Sequence, residues 1–144
     1  MTFTLATPAA TIYTLLSTYW TAGNINGTIT PTFGRMEQLS AKRGKYHILV
    51  YNRPSTYEDV GRGSHWDVTD LATIEIRAQD VTNDTIPRQL LQEVLRIINT
   101  YRITPGGGYD YIHVTGDRDE SYQSNRFYRF LVDVELLQYG VSKT

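Results

Sequence analysis

The sequence contains no cysteine. That excludes a disulfide scaffold, a thiolate zinc centre and a cysteine nucleophile. It also lacks a charge of one sign: 14 Lys and Arg stand against 15 Asp and Glu, a formal net charge of −1. A dedicated nucleic-acid-binding domain usually carries a marked basic excess, and a halophilic or acidic solubilising protein the reverse. Neither description fits. No apolar run is long enough to cross a bilayer, so no membrane partner is expected. Residues 1–10 hold no Lys or Arg and so lack the basic start of a signal peptide. Histidine is scarce as well: His47, His65 and His113 are the 3 in the chain, and none stands in a ligand motif.

What is present is a globular balance, 40% hydrophobic and 20% charged over 144 residues. That is enough chain for one domain, 1–144, with a core that needs no cross-link. Tyrosine stands out, with 11 copies beside 4 Phe and 2 Trp. Such rings suit strands and protein–protein surfaces, where the ring supplies contact area and the hydroxyl stays wet.

Periodicity gives the order of elements. Thr7-Pro8 is a helix start, and Ile12, Leu15, Leu16, Tyr19 and Trp20 follow as one stripe, ended by Gly23-Asn24. Residues 27–33 read as an extended segment that Pro31 confines to a sheet edge. Residues 36–44 are polar and locally basic. Residues 46–51 and 66–78 alternate as strands, the second with Trp66, Val68, Ala72, Ile74, Ile76 and Ala78 on one face and Thr69, Thr73, Glu75 and Arg77 on the other. A second helix begins near Asn83-Asp84-Thr85. It carries Leu90, Leu91, Val94, Leu95, Ile98 and Tyr101 inward, turns Gln89, Gln92, Glu93 and Arg96 away, and ends at Pro105-Gly106-Gly107-Gly108. Strands at 109–115 and 126–139 close the chain. The expected fold is α+β, a largely antiparallel sheet with two amphipathic helices on it. Turn formers and charges mark long loops at 52–65 and 116–125.

No motif carries a reaction. Gly106-Gly107-Gly108 follows a helix and precedes a strand, the reverse of a phosphate-cradling loop. Arg126-Phe127-Tyr128-Arg129-Phe130 interleaves cations with rings, as base-stacking sheets do, but alternation sends Tyr128 and Phe130 to the core. Asp70, Glu75 and Arg77 have the flavour of a metal-dependent nuclease, two acids and a cation. Their odd separation, however, puts Asp70 and Glu75 on opposite faces of one strand. Asp117, Asp119 and Glu120 lack calcium-loop spacing. No cofactor is expected.

The organisation itself resembles the tail-terminator (tail-completion) proteins of long-tailed bacteriophages and related viruses. The resemblance rests on the N-terminal helix, then Trp66-Asp67-Val68-Thr69-Asp70-Leu71-Ala72 running on through Ile74, Ile76 and Ala78, the helix around Ile86-Pro87-Arg88-Gln89-Leu90-Leu91, and the terminal strand Phe130-Leu131-Val132-Asp133-Val134-Glu135-Leu136. It spans 8–139 and rests on element order and length; related neck proteins, the head-closure and connector components, are of comparable size and are the alternative. It implies a non-enzymatic virion protein, assembled in the host cytoplasm. Such a protein forms a hexameric ring with copies of itself on the end of the tail tube, stops tube polymerisation, and meets the tail tube protein and a head-side connector or stopper. Nucleic acid is then expected only as DNA passing through the ring. For a ring of this kind, Arg53, Tyr57, Glu58, Asp59 and Arg62 in the first long loop are the expected intersubunit contacts, with Arg118, Asp119, Glu120 and Tyr122 in the second.

Overall fold

A computed structural model of the protein describes residues 7–35, 45–60, 65–122, 124 and 126–142, without the side chains of 35, 55–60, 65–66 and 140–142. The elements run α1 (Pro8–Tyr19), a 3-10 turn (Ala22–Asn24), β1 (Thr32–Arg35), β2 (Tyr46–Val60), β3 (His65–Ala78), α2 (Thr85–Thr100), β4 (Ile103–Gly106), β5 (Tyr109–Asp119) and β6 (Tyr128–Ser142). The strands form one six-stranded sheet in the order β1-β2-β3-β6-β5-β4. Every pairing is antiparallel except β1 with β2 at one edge. The architecture is α+β, in the order helix, strands, helix, strands.

Both helices lie on one face of the sheet. The even-numbered residues Ile48 and Val50 of β2, Ala72, Ile74 and Ile76 of β3, and Phe130, Val132, Val134 and Leu136 of β6 point to that side. They bury against Ile12, Leu15 and Leu16 of α1 and Leu90, Val94, Ile97 and Ile98 of α2. Removing these aliphatic side chains from water is the principal stabilising contribution. Thr7 caps α1 by accepting from the Ala10 N–H at 3.2 Å, which satisfies one of the orphan donors of the first turn.

Several expectations are corrected. α1 stops at Tyr19, short of Gly23-Asn24, because Trp20 turns into extended backbone and sends its indole N–H to the Ile29 carbonyl at 3.2 Å. Tyr19 and Tyr101, both on expected core stripes, stack on each other at 3.9 Å between ring centroids, with Tyr19 exposed. Glu93, expected to face away, is 2% exposed. Its carboxylate accepts from the Thr21 N–H (2.8 Å), Asn24 Nδ2 (2.9 Å) and Arg96 Nε and Nη2 (2.6 and 2.8 Å). Four donors explain how a charge is tolerated there. The Pro105–Gly108 segment is a β-hairpin rather than a helix exit: β4 turns into β5 with φ positive at Gly106, Gly107 and Gly108 (112°, 62° and 82°), a conformation open to glycine.

The first long loop is largely strand, and the second begins as one. β2 continues to Val60 and β3 restarts at His65, with Tyr57 opposite Val68, Glu58 opposite Asp67 and Asp59 opposite Trp66. Pro54, which has no N–H for a ladder, falls within the register shift between Arg53 and Thr56, so a bulge absorbs it and pairing resumes. Likewise β5 runs on through Asp119 after a shift between Val114 and Gly116, and Tyr122 bridges Phe127. Arg62 and the basic stretch 36–44 lie outside the described residues.

Candidate functional site

The face of the sheet turned away from the helices holds the chemistry. Alternation delivers Leu49, Tyr51 and Arg53 from β2, Thr73, Glu75 and Arg77 from β3, Arg129, Leu131, Asp133 and Glu135 from β6, and His113 and Arg118 from β5. Register places them side by side: Leu49, Glu75 and Leu131 form one row, and Tyr51, Thr73 and Asp133 the next.

Glu75 is 1% exposed, yet it sits on the helix-free face. Its Oε2 takes Arg77 Nη2 at 3.0 Å and its Oε1 takes Arg129 Nε. Arg129 in turn reaches Glu120 Oε2 through Nη1 at 2.8 Å. The Glu75 carboxylate raises the pKa of Arg129, chiefly through that hydrogen bond. Burial, and then the charge of Glu75, push the Tyr51 hydroxyl above its ordinary value, so it remains a proton donor at neutral pH.

Asp133 is a second node. Its Oδ1 accepts from Thr73 Oγ1 at 2.9 Å and from two guanidinium groups, Arg53 Nη1 and Arg118 Nη2, each at 3.3 Å. Arg53 comes from β2 and spans β3 to reach it, while Arg118 comes from the neighbouring β5. Further along β5, His113 Nε2 lies 3.2 Å from Glu135.

Of the residues expected to touch a neighbouring subunit, the structure thus brings Arg53, Arg118 and Glu120 onto one sheet face. It does not bring the others there as a set. Asp119 Oδ1 accepts from the Ser121 N–H at 3.0 Å, and its Oδ2 is 3.9 Å from Arg88. Tyr122 is 63% exposed beside Phe127. Tyr57, Glu58 and Asp59 are placed by backbone alone, on the far half of β2. Sequence reasoning had Thr73, Glu75, Arg77, Arg129 and Asp133 on the outward side of their strands but did not join them. The missing information was strand order, because β6 inserts between β3 and β5.

The acidic pair considered for metal-dependent hydrolysis is separated. Asp70 accepts from the Tyr109 hydroxyl on the helix side, whereas Glu75 is held by arginines on the other. Among the described residues no group of three His, Asp or Glu could hold a metal ion. A cleft of about 270 Å³ between the end of α2 and β5 is lined by Leu95, Ile98, Asn99, Arg102, Tyr111 and His113. It is at or below the lower end of what small-molecule sites enclose. No described helix is long and apolar enough to cross a membrane. The chain matches no protein-family profile and no curated protein.

Proposed function

We propose that the protein is a structural component of a virion, a tail terminator. In this reading it forms a ring on the head-proximal end of a tail tube, ends tube polymerisation and presents a surface to the head-side connector. The observation that carries this reading is a pair of uncovered sheet edges on opposite sides of the subunit. β1 pairs with β2 only over His47–Val50, so the outer side of β2 from 51 to 60 has no strand beside it among the described residues. At the other end β4 pairs only with Tyr109 and Tyr111, leaving the outer side of β5 from 113 to 119 open.

Open ladders are costly to leave exposed and ready to accept another strand. Two different edges, one at each end of a sheet, support a head-to-tail contact between copies, which closes into a ring when the rotation per subunit divides a full turn. Tyr57, Glu58 and Asp59 ride on one of these edges, Asp119 ends the other, and Tyr122 lies just beyond it with its ring exposed.

The test is electron microscopy of particles assembled without the protein. Tails of uncontrolled length that fail to join heads are the expected result. Tails of normal length left unattached would move the protein to a head-closure or connector position. Normal tails joined to heads would sink both readings.

A further inference from the structure

The cleft between the end of α2 and β5 opens onto a strand edge. Leu95 and Ile98 of α2 and Ile112 and Val114 of β5 give it an apolar floor, and the exposed Asn99 and Arg102 stand at its rim. None of its lining residues is an acid. Glu135, which His113 meets at 3.2 Å, lies on the helix-free face of the sheet. The Arg102 guanidinium has no hydrogen-bond or ion-pair partner among the described residues. Beside the cleft, the Ile112 N–H points outward to the Arg102 carbonyl at 2.8 Å, and alternation sends the Val114 N–H and C=O the same way. β4 pairs only with Tyr109 and Tyr111, so no strand stands beside Val114 among the described residues.

The opposite end of the sheet carries an edge of matching chemistry. Along the open side of β2 run Tyr57, Glu58 and Asp59, an aromatic residue followed by two acids. Register sets Tyr57 opposite Val68 and Asp59 opposite Trp66, so positions 57 and 59 belong to the face that bears the helices. Three antiparallel pairings separate β2 from β5, and the two strands therefore run in opposite directions. Copies set side by side in one orientation bring β2 of one against β5 of the next as an antiparallel pair, with the helices of both on the same side.

We propose that the cleft receives a second copy of this chain: β2 of one subunit adds to the β5 edge of the next, Tyr57 fills the cleft, and Asp59 pairs with Arg102. The proposal rests on the ring reading and names its contact. With Tyr57 opposite Val114, antiparallel register puts Asp59 opposite Ile112, whose outer neighbour is Arg102. Main-chain bonds to Val114 supply the added strand. The apolar floor takes the phenol ring while its hydroxyl stays at the wet rim, and a guanidinium without a partner takes a carboxylate. A volume of about 270 Å³ suits a single large side chain better than a free ligand.

A chain without cysteine suits directed cross-linking. The full chain bearing Tyr57→Cys and Asn99→Cys is assembled on isolated tail tubes and treated with a mild oxidant. A ladder of disulfide-linked multimers is expected. Tyr57→Cys combined with Thr18→Cys, an exposed position on α1, should give none. Charge reversal is the second arm, and it decides the matter if the cysteine variants fail to fold by circular dichroism. Arg102→Glu and Asp59→Arg are each expected to lose rings in electron micrographs of the tubes, and the double variant to recover them. Rings that form without the 57–99 cross-link and ignore charge reversal would overturn the proposal and leave the ring reading standing. Tubes that carry no rings even with the wild-type chain would overturn both.

Discussion

Arg53 on β2 and Arg118 on β5 donate to the same oxygen, Asp133 Oδ1, from opposite sides of β6, each at 3.3 Å. Three of the four central strands contribute a charged group to this node, and the fourth, β3, contributes the Thr73 hydroxyl. The node therefore fixes relative strand position in a sheet whose pairs are interrupted by register shifts near both arginines, at Arg53/Thr56 and at Val114/Gly116. Bulges re-aim side chains, and here both flank a residue that converges on one carboxylate.

Removing that carboxylate's charge tests the node. Asp133→Asn keeps an acceptor for Thr73 but leaves Arg53 and Arg118 without their shared ion-pair partner. Thermal stability is expected to fall by about 1 kcal/mol, read as a lower melting temperature. An unchanged melting temperature would mean that the two arginines do not hold strand position through Asp133.

Glu75 is the buried acid under the other arginine pair. Truncating it strands Arg77 and Arg129 over an apolar row made by Leu49 and Leu131. Breaking a buried pair by removing one partner is costly, so Glu75→Ala is expected to destabilise the fold by about 3 kcal/mol, measured as a lower urea midpoint. Incubation of the wild type with DNA and Mg²⁺ or Mn²⁺ is expected to leave the DNA intact. Cleavage that disappears in Glu75→Gln would restore the nuclease reading.

Glu93 gives the protein an acid-sensitive joint between α2 and the turn after α1. Burial alone pushes its pKa up, but the hydrogen bonds from Arg96, Asn24 and the Thr21 N–H, with the Arg96 charge, outweigh burial and hold it below the ordinary glutamate value. A carboxylate depressed in the folded state contributes stability that is fully present above its unfolded pKa and is lost as pH falls through the folded one. The melting temperature of the wild type should therefore decline from the ordinary glutamate range downward. Glu93→Gln should be less stable at neutral pH by about 1–3 kcal/mol and show a flatter acid limb. An unchanged acid limb would mean that other carboxylates govern it.

How much of this was legible beforehand depends on what decides each feature. The α+β order followed from periodicity, because Leu90, Val94 and Ile98 or Ile74 and Ile76 answer to local rules. The extended β2–β3 hairpin did not, since Pro54, Glu58 and Asp59 suggest a loop by composition, and the ladder with 65–71 overrides them. Glu93 looked outward because an isolated helix shows no donors; three of its partners come from outside α2 or from a flexible arginine. The Asp133 node needed strand order, which alternation alone does not contain.

The open edge of β5 offers the sharpest test of ring assembly. The Glu120 N–H donates to the Arg129 carbonyl at 2.9 Å, and Asp119 lies opposite Phe130. Hydrogen-bonded and non-bonded pairs alternate in an antiparallel ladder, so the N–H groups of Asp119 and Asp117 point away from β6. The Ile112 N–H points outward too, to the Arg102 carbonyl at 2.8 Å. Asp117→Pro deletes one of these outward donors and puts a ring where an incoming strand would lie, while leaving the β6 ladder intact. The subunit fold is expected to lose about 1 kcal/mol. Native mass spectrometry and light scattering at high concentration, or on isolated tail tubes, should then find rings for the wild type and single subunits for Asp117→Pro. Rings that persist in the variant would place the intersubunit contact elsewhere than this edge.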